Sequence, residues 1–316
     1  MKSFTAGKNE QEVRLSRFVE SVTNNMPSAL LYKSFRNKRI KVNGKRGLPD
    51  DRLCVGDIVE MYINDEFFEV KAATMTTEKK KQPKVTVIYE DENIAALYKP
   101  AHLLCHSDRT GDASLVDAFT EYLEQKGEFT KENEAAFSPA ICNRLDRGTE
   151  GLVLAAKNHN ALRDMNEIIR TDLLLKEYLC VTCTAPKNGR YIAYLRHFEK
   201  DNKVIIKSYA ADGYKQIITD VNVLETKGPL SLCKIGLITG RTHQIRAHLA
   251  FLNAPVLGDI KYGNRKMNER YKVKTQSLCA YSISFKNIPK ENSLSYLSGK
   301  SIILEANETK KLFDRI

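Results

Sequence analysis

Two short stretches hold the residue types from which an active site could be built. In NRLDRGTEGLVLAAK, residues 143–157, Asp146 stands between Arg144 and Arg147 at the entry of a strongly apolar run. Flanking guanidinium groups favour the carboxylate form of an acid, and a carboxylate at the mouth of a strand can act as nucleophile or base. The same Asp would serve equally well to cap a turn and pair with a neighbouring Arg. In TGRTHQIRAHLAFLNAPVLGD, residues 239–259, Gly240 ends a strand-like run and Arg241 precedes a helix with Ile245, Leu249 and Leu252 along one face. An Arg at such a junction projects from a sheet edge into a cleft, where its planar fork grips a carboxylate, or from the surface, where it binds phosphate.

Metal and cofactor chemistry find little footing. Cys180 and Cys183 form a CxxC within KEYLCVTC, but that run reads as a strand, in which residues three apart point to opposite faces, and no second pair follows. Seven cysteines without regular spacing argue for reduced thiols rather than a disulfide framework. The chain has no GxGxxG, no Gly-rich phosphate loop and no deaminase-type HxE with PCxxC. No metal and no cofactor are expected.

Charge points to the partner. Lys and Arg outnumber Asp and Glu by 50 to 39, a net charge of +11 that suits a polyanion. The surplus is concentrated: Lys33 to Arg46 holds seven basic residues and no acidic one. Lys33, Arg36, Arg39, Lys41 and Lys45, with Arg14 as a lesser one, are the candidates for contacts to a phosphate backbone. Such contacts position a protein without reading sequence. The opening MKSFTAGKNEQEVRLS lacks the apolar core of a signal peptide, and no stretch approaches the roughly 18 apolar residues of a membrane span. A cytoplasmic, unexported protein with no membrane partner is expected.

These residues need a frame. RLSRFVESVT places Leu15, Phe18, Val19 and Val22 on one helical face, PSALLYKSFR follows as a second helix, and Asn43-Gly44 signals a tight turn after Ile40 and Val42. These pieces make one small unit, 12–69. Residues 70–84 (VKAATMTTEKKKQPK) lack apolar periodicity and read as a linker. From 85 to 316, VTVIY and IAALY form a hairpin, Ser114 caps a helix, and GLVLAAK, EYLCVTC, KVIIK, QIITDVNVLE and SLCKIGLIT supply strands in succession. The fold class is therefore α+β, with a mixed, largely antiparallel sheet in the larger domain.

At this point the motifs resemble a known family. NRLDRGTEG is similar to the HRLDxxTSG catalytic motif of the RluA family of pseudouridine synthases, and GRTHQIRAHL to that family's GRxHQxRxH. KEYLCV, with Lys176 and Tyr178, looks like its third element, and DENIAALYKPAHLLCH like its first, around a Lys-Pro pair. All four stand in family order over roughly residues 85 to 305, behind a unit that resembles an S4 RNA-binding domain. Two positions depart from the pattern: Asn143 replaces the usual His, and Glu150 the usual Ser.

The resemblance implies an enzyme that isomerises uridine to pseudouridine in structured RNA, most naturally large-subunit (23S) ribosomal RNA, acting as a monomer. By that resemblance Asp146 is the essential acid, Arg241 pairs with and orients it, Tyr178 stacks on the uracil and is placed to take the C5 proton, and Arg144 fills the gap left by the flipped base. The alternatives are a synthase acting on transfer RNA and a non-catalytic RNA-binding or ribosome-assembly factor. An S4-bearing RNA methyltransferase would need a nucleotide-type cofactor loop, which the chain lacks.

Overall fold

The computed structural model describes residues 1–23, 26–68, 83–107, 111–130, 137–198 and 203–316. The N-terminal unit opens with β1 (Lys2–Thr5), followed by α1 (Leu15–Val22), α2 (Ser28–Arg36), β2 (Ile40–Val42), β3 (Lys45–Arg46) and β4 (Ile58–Met61). Its four strands pair antiparallel in the order β1-β4-β2-β3. Asn43 and Gly44 take φ of 50° and 74°, the doubly left-handed turn that the Asn-Gly pair favours and that matches strand twist. Leu15, Phe18 and Val19 of α1 meet Leu31 and Phe35 of α2 and Ile40, Val59 and Met61 of the sheet in one closed core. The unit begins at Lys2, ten residues before the expected boundary: KSFT holds a single apolar residue, Phe4, too little for a strand signal, yet pairing with β4 recruits it. The linker expected at 70–84 lies almost wholly outside the described residues.

The larger domain comprises β5 (Thr86–Glu90), β6 (Ile94–Lys99), α3 (Leu115–Lys126), β7 (Ala140–Ile141), β8 (Glu150–Ala156), α4 (His159–Arg170), β9 (Leu174–Thr182), β10 (Gly189–Phe198), β11 (Lys203–Lys207), β12 (Lys215–Lys227), β13 (Leu230–Leu237), α5 (Gln244–Phe251), α6 (Arg265–Arg270), β14 (Leu278–Phe285), β15 (Ser301–Ile303) and α7 (Glu308–Arg315). Ser114 caps α3 as expected, accepting the Asp117 N–H. One sheet runs β11-β10-β12-β13-β9-β14-β8-β6-β5, with β7 attached to β8 and β15 to β14. Every pairing is antiparallel except β14 with β8. The architecture is α+β with a largely antiparallel sheet.

That parallel junction fixes where the NRLDRGTEG segment enters the sheet. β8 is buried along its whole length, as a central strand covered on both faces must be. At its start Gly151 adopts φ of 125°, and a Cβ there would lie 2.4 Å from the backbone N and O of Ala280. Neither the conformation nor the space admits a side chain. Gly151→Ala is expected to destabilise the protein by about 3 kcal/mol or more, read as a drop in the urea unfolding midpoint; a midpoint equal to wild type would contradict this account.

Candidate active site

Asp146 lies in the turn between β7 and β8, where its carbonyl accepts the Thr149 N–H at 3.0 Å. The turn is held from three sides. The Lys99 ammonium, fully buried at the end of β6, donates to the carbonyls of Pro100 (3.0 Å) and Arg147 (3.2 Å), and His102 N–H donates to the same Arg147 carbonyl at 2.6 Å. Burial pushes the Lys99 pKa down to about 8, against the pull of Cys105, Asp146 and Glu150. The Cys105 thiol meets the Leu145 backbone, and Gln276 donates to Thr149 Oγ1. Leu145 packs into the hydrophobic clusters on both sides of the turn. With its neighbours anchored, Asp146 keeps a carboxylate that is 27% exposed, open enough for a substrate to reach.

The partner of that carboxylate is Arg246. Its Nη1 donates to Asp146 Oδ2 at 2.8 Å, while Nε and Nη2 donate to Asp259 Oδ2 and Oδ1 at 2.7 and 3.0 Å. Asp259 is sealed from solvent and also accepts the N–H groups of Lys261 (2.8 Å) and Tyr262 (3.0 Å). A bidentate fork of this kind fixes the guanidinium plane, so Asp259 aims the remaining donor at Asp146. Burial disfavours the Arg246 charge, but the Asp259 and Asp146 carboxylates outweigh it and raise its pKa; burial likewise opposes the Asp259 charge, and Arg246 outweighs it to lower that pKa. Tyr262 closes the arrangement, its ring under the Arg246 guanidinium at 5.4 Å and its hydroxyl 2.9 Å from His243 Nδ1.

Arg241 does not make the expected pair. Its side chain is exposed, and its backbone N–H donates to Gln244 Oε1 at 3.1 Å. The chain leaves β13 at Leu237 and turns through a left-handed His243 before α5 begins, which carries Arg241 to the outer side of the turn. Arg246, one residue beyond the apolar face of Ile245 and Leu249, reads from periodicity as outward-facing. In the structure Gln244 to Leu249 are all buried, because the sheet and the 256–262 segment wrap the short helix. The available signal was Arg246 itself, the second Arg of the GRTHQIRAH motif.

Tyr178 stands on β9 between Ile235 and Ala280 of the flanking strands and is 7% exposed. Burial, and then the Asp146 charge, push its hydroxyl pKa well above the usual phenol range, so it stays a neutral phenol. Arg144 is exposed on the same turn as Asp146, and its charge reaches Cys105 and His106. The two departures from the family pattern are structural. Asn143 Oδ1 accepts the Leu154 N–H at 2.8 Å, locking the turn to β8. Glu150 is buried, accepting Tyr98 Oη, the N–H groups of Glu308 and Thr309, and Thr309 Oγ1; it caps α7 and does not reach the cleft. In the N-terminal unit Lys33, Arg36, Arg39 and Lys45 are exposed and Lys41 lies over the Tyr62 ring at 5.0 Å, while Arg14 pairs with Asp50 at 3.4 Å. Cys180 and Cys183 are both buried free thiols.

His248, the last residue of the motif, supports α5 from beneath. It is buried beside Thr219, with Nδ1 3.0 Å from Thr219 Oγ1, and burial pushes its pKa down to about 4. The unfolded chain therefore binds a proton at this position between about pH 6.5 and 4 that the folded protein refuses. Stability from this group is present above pH 6.5 and is lost as pH falls, by roughly 3 kcal/mol over that window. Wild-type melting temperature should fall on acidification through this range, and His248→Gln should flatten that dependence; an equal slope in both proteins would contradict it.

Similarity to known proteins agrees with this geometry. A family profile described as RNA pseudouridylate synthase matches residues 93–251, from β6 through α5. An uncharacterized RNA pseudouridine synthase of Mycoplasma capricolum subsp. capricolum is 30% identical over 314 residues, covering 96% of this chain and 97% of that relative. The ribosomal large subunit pseudouridine synthase C of Rickettsia felis is 30% identical over 265 residues, covering 80% and 83%. In fold, human RNA pseudouridylate synthase domain containing 4 superposes with a TM-score of 0.57 at 20% identity, over 72% of this chain and 92% of that one. Half of this chain matches the family profile and nearly all of it a relative, and the anchored Asp146 sits inside the matched segment: the chain belongs to the RluA family of RNA pseudouridine synthases.

Proposed function

We propose that this pseudouridine synthase acts on a uridine in structured large-subunit ribosomal RNA, with Asp146 as the essential acid. The observation that carries the catalytic reading is the Asp146 carboxylate, partly open, held by a guanidinium that Asp259 has already oriented. Isomerisation breaks the bond from ribose C1′ to N1, turns the uracil over and joins C1′ to C5, and the proton leaving C5 balances the one gained at N1. Arg246 engages Oδ2, so Oδ1 is the atom offered to the sugar. From there it either attacks C1′, giving a covalent intermediate, or removes the C2′ proton, giving a glycal.

Tyr178 provides an apolar face for the base and a hydroxyl that relays the C5 proton. Because burial keeps it a neutral phenol, it acts as a relay and not as a phenolate base. Tyr178→Phe should lower kcat by roughly 10²-fold or more while KM changes little; a kcat near wild type would reject the relay. Arg144, exposed on the catalytic turn, is the residue placed to fill the space of the extruded base.

The N-terminal unit has the two helices and small sheet expected of an S4 domain. Its exposed Lys33, Arg36, Arg39 and Lys45, with Lys41, form the surface for an RNA backbone, and Arg14, tied to Asp50, stands at its edge. The ribosomal target is supported by relatives that carry that name, such as the Rickettsia felis protein, and the protein is proposed to work as a monomer in the cytoplasm. Pseudouridine mapping in a strain lacking the gene tests the target: loss of one or more large-subunit sites is expected, whereas an intact ribosomal profile with losses in transfer RNA would overturn it.

A further inference from the structure

The segment after Asp259 lies along the catalytic turn and carries a charge that nothing above uses. Residues 261–274 hold six basic residues against the single acid Glu269, where the whole chain has 50 against 39. Lys266, Arg270, Lys272 and Lys274 are exposed. Among the described residues, the ion pair formed within this segment joins Arg265 to Glu269. The inner side of α6 is occupied instead: Met267 packs into the cluster around Leu257 and Phe313, and Asn268 accepts the Gly258 N–H at 2.7 Å and donates to the Asp259 carbonyl at 3.1 Å.

The segment is fixed directly to the active site at both ends. Asn268 grips the backbone of the acid that aims Arg246. At the other end, Thr275 lies 2.8 Å from His102 Nε2, and Gln276 packs against Gly148 and donates to Thr149. The cations therefore stand on a ridge tied to the Asp146 turn and its Arg246 partner, on a part of the chain far from the cations of the N-terminal unit.

We propose that this ridge, α6 and the turn of residues 271–274 that follows it, is a second RNA-backbone docking surface that grips the duplex next to the extruded uridine. The inference rests on the reading that the cleft acts on structured RNA. A row of cations at the chemistry suits a phosphate backbone, since each phosphate neutralised releases a counterion and the ridge's hydrogen bonds to Asp259 and Thr149 hold the grip in register with Asp146. The N-terminal surface supplies general affinity, and the ridge sets the position of the nucleotide.

The test compares wild type with the variant Lys266→Gln/Arg270→Gln/Lys272→Gln/Lys274→Gln and with a charge-preserving variant in which the same lysines become Arg and Arg270 becomes Lys. The probes are a 20-base-pair RNA duplex for binding and unmodified transcribed large-subunit ribosomal RNA for conversion. The neutral variant should bind the duplex at least about ten-fold more weakly at 0.1 M salt and lose about two from the slope of log Kd against log salt. Its conversion defect should fall on KM, and the charge-preserving variant should bind within about three-fold of wild type, since phosphate contact needs charge and not a particular fork. As a readout independent of substitution, Lys266, Lys272 and Lys274 should be protected by the duplex from amine acylation. Wild-type Kd and slope in the neutral variant, or acylation unchanged by duplex, would overturn the proposal. If wild type binds the duplex through the ridge but converts no ribosomal transcript, the target reading fails and the docking surface stands.

Discussion

Asp146→Asn is expected to abolish pseudouridine formation, lowering kcat by roughly 10⁴-fold or more, while leaving RNA binding within a few-fold of wild type. The amide keeps the size of the carboxylate and can still meet the Arg246 donor, so the turn held by Lys99, His102 and Cys105 should stay in place. What it loses is the anionic oxygen that both routes of glycosidic cleavage require. The measurement is release of tritium from C5-labelled RNA, with melting temperature followed in parallel. Activity surviving above a hundredth of wild type would remove Asp146 from the chemistry, and a protein that binds RNA without converting it even as wild type would favour the non-catalytic alternative.

The second large effect separates two arginines of one motif. Arg246→Lys replaces a fork that serves two carboxylates by a point charge that cannot span both. Turnover should fall by roughly 10²-fold as Asp146 loses its orienting donor. Stability should fall as well, because Asp259 keeps a sealed carboxylate with an imperfect partner; breaking a buried pair of this kind costs about 3 to 5 kcal/mol when one member is removed outright, and the ammonium recovers part of that. Arg241→Ala, by contrast, removes an exposed side chain. Its effect on stability should stay within about 0.5 kcal/mol and any effect on RNA should appear in KM. The reverse ranking, with Arg241 essential and Arg246 dispensable, would mean that the ion pair at 2.8 Å is not the one that matters for catalysis.

The contrast shows how far the sequence could be read. Local signals were reliable where chemistry and backbone agree: the Asn43-Gly44 turn, the Ser114 cap, the apolar run of β8 and the position of Asp146 at its mouth all follow from rules of residue type. Arg246 could not be found in that way. Helical periodicity assumes one buried face, whereas α5 is enclosed on several sides and its polar residues are satisfied by distant partners: Asp259 for Arg246, and Thr219 for Gln244 and His248. The pairing with Asp146 spans 100 positions and depends on how β14 brings β8 and β9 together. Glu150 is a similar case. Nothing in the motif around it indicates its role, because its partners are Tyr98 and the start of α7, both far away along the chain. β1 was missed because four residues with one apolar side chain carry no pattern until a neighbour pairs with them.

The place of β14 in the sheet bears on how the enzyme comes into being. It lies between β8 and β9, so these two strands stay apart until Leu278–Phe285, far later in the chain, arrive to join them. The N-terminal unit is closed around its own core, and domains of this kind generally fold as units, the N-terminal one first during synthesis. A chain folding as it is made is thus expected to complete its N-terminal unit well before the Asp146 turn and its neighbours are drawn together.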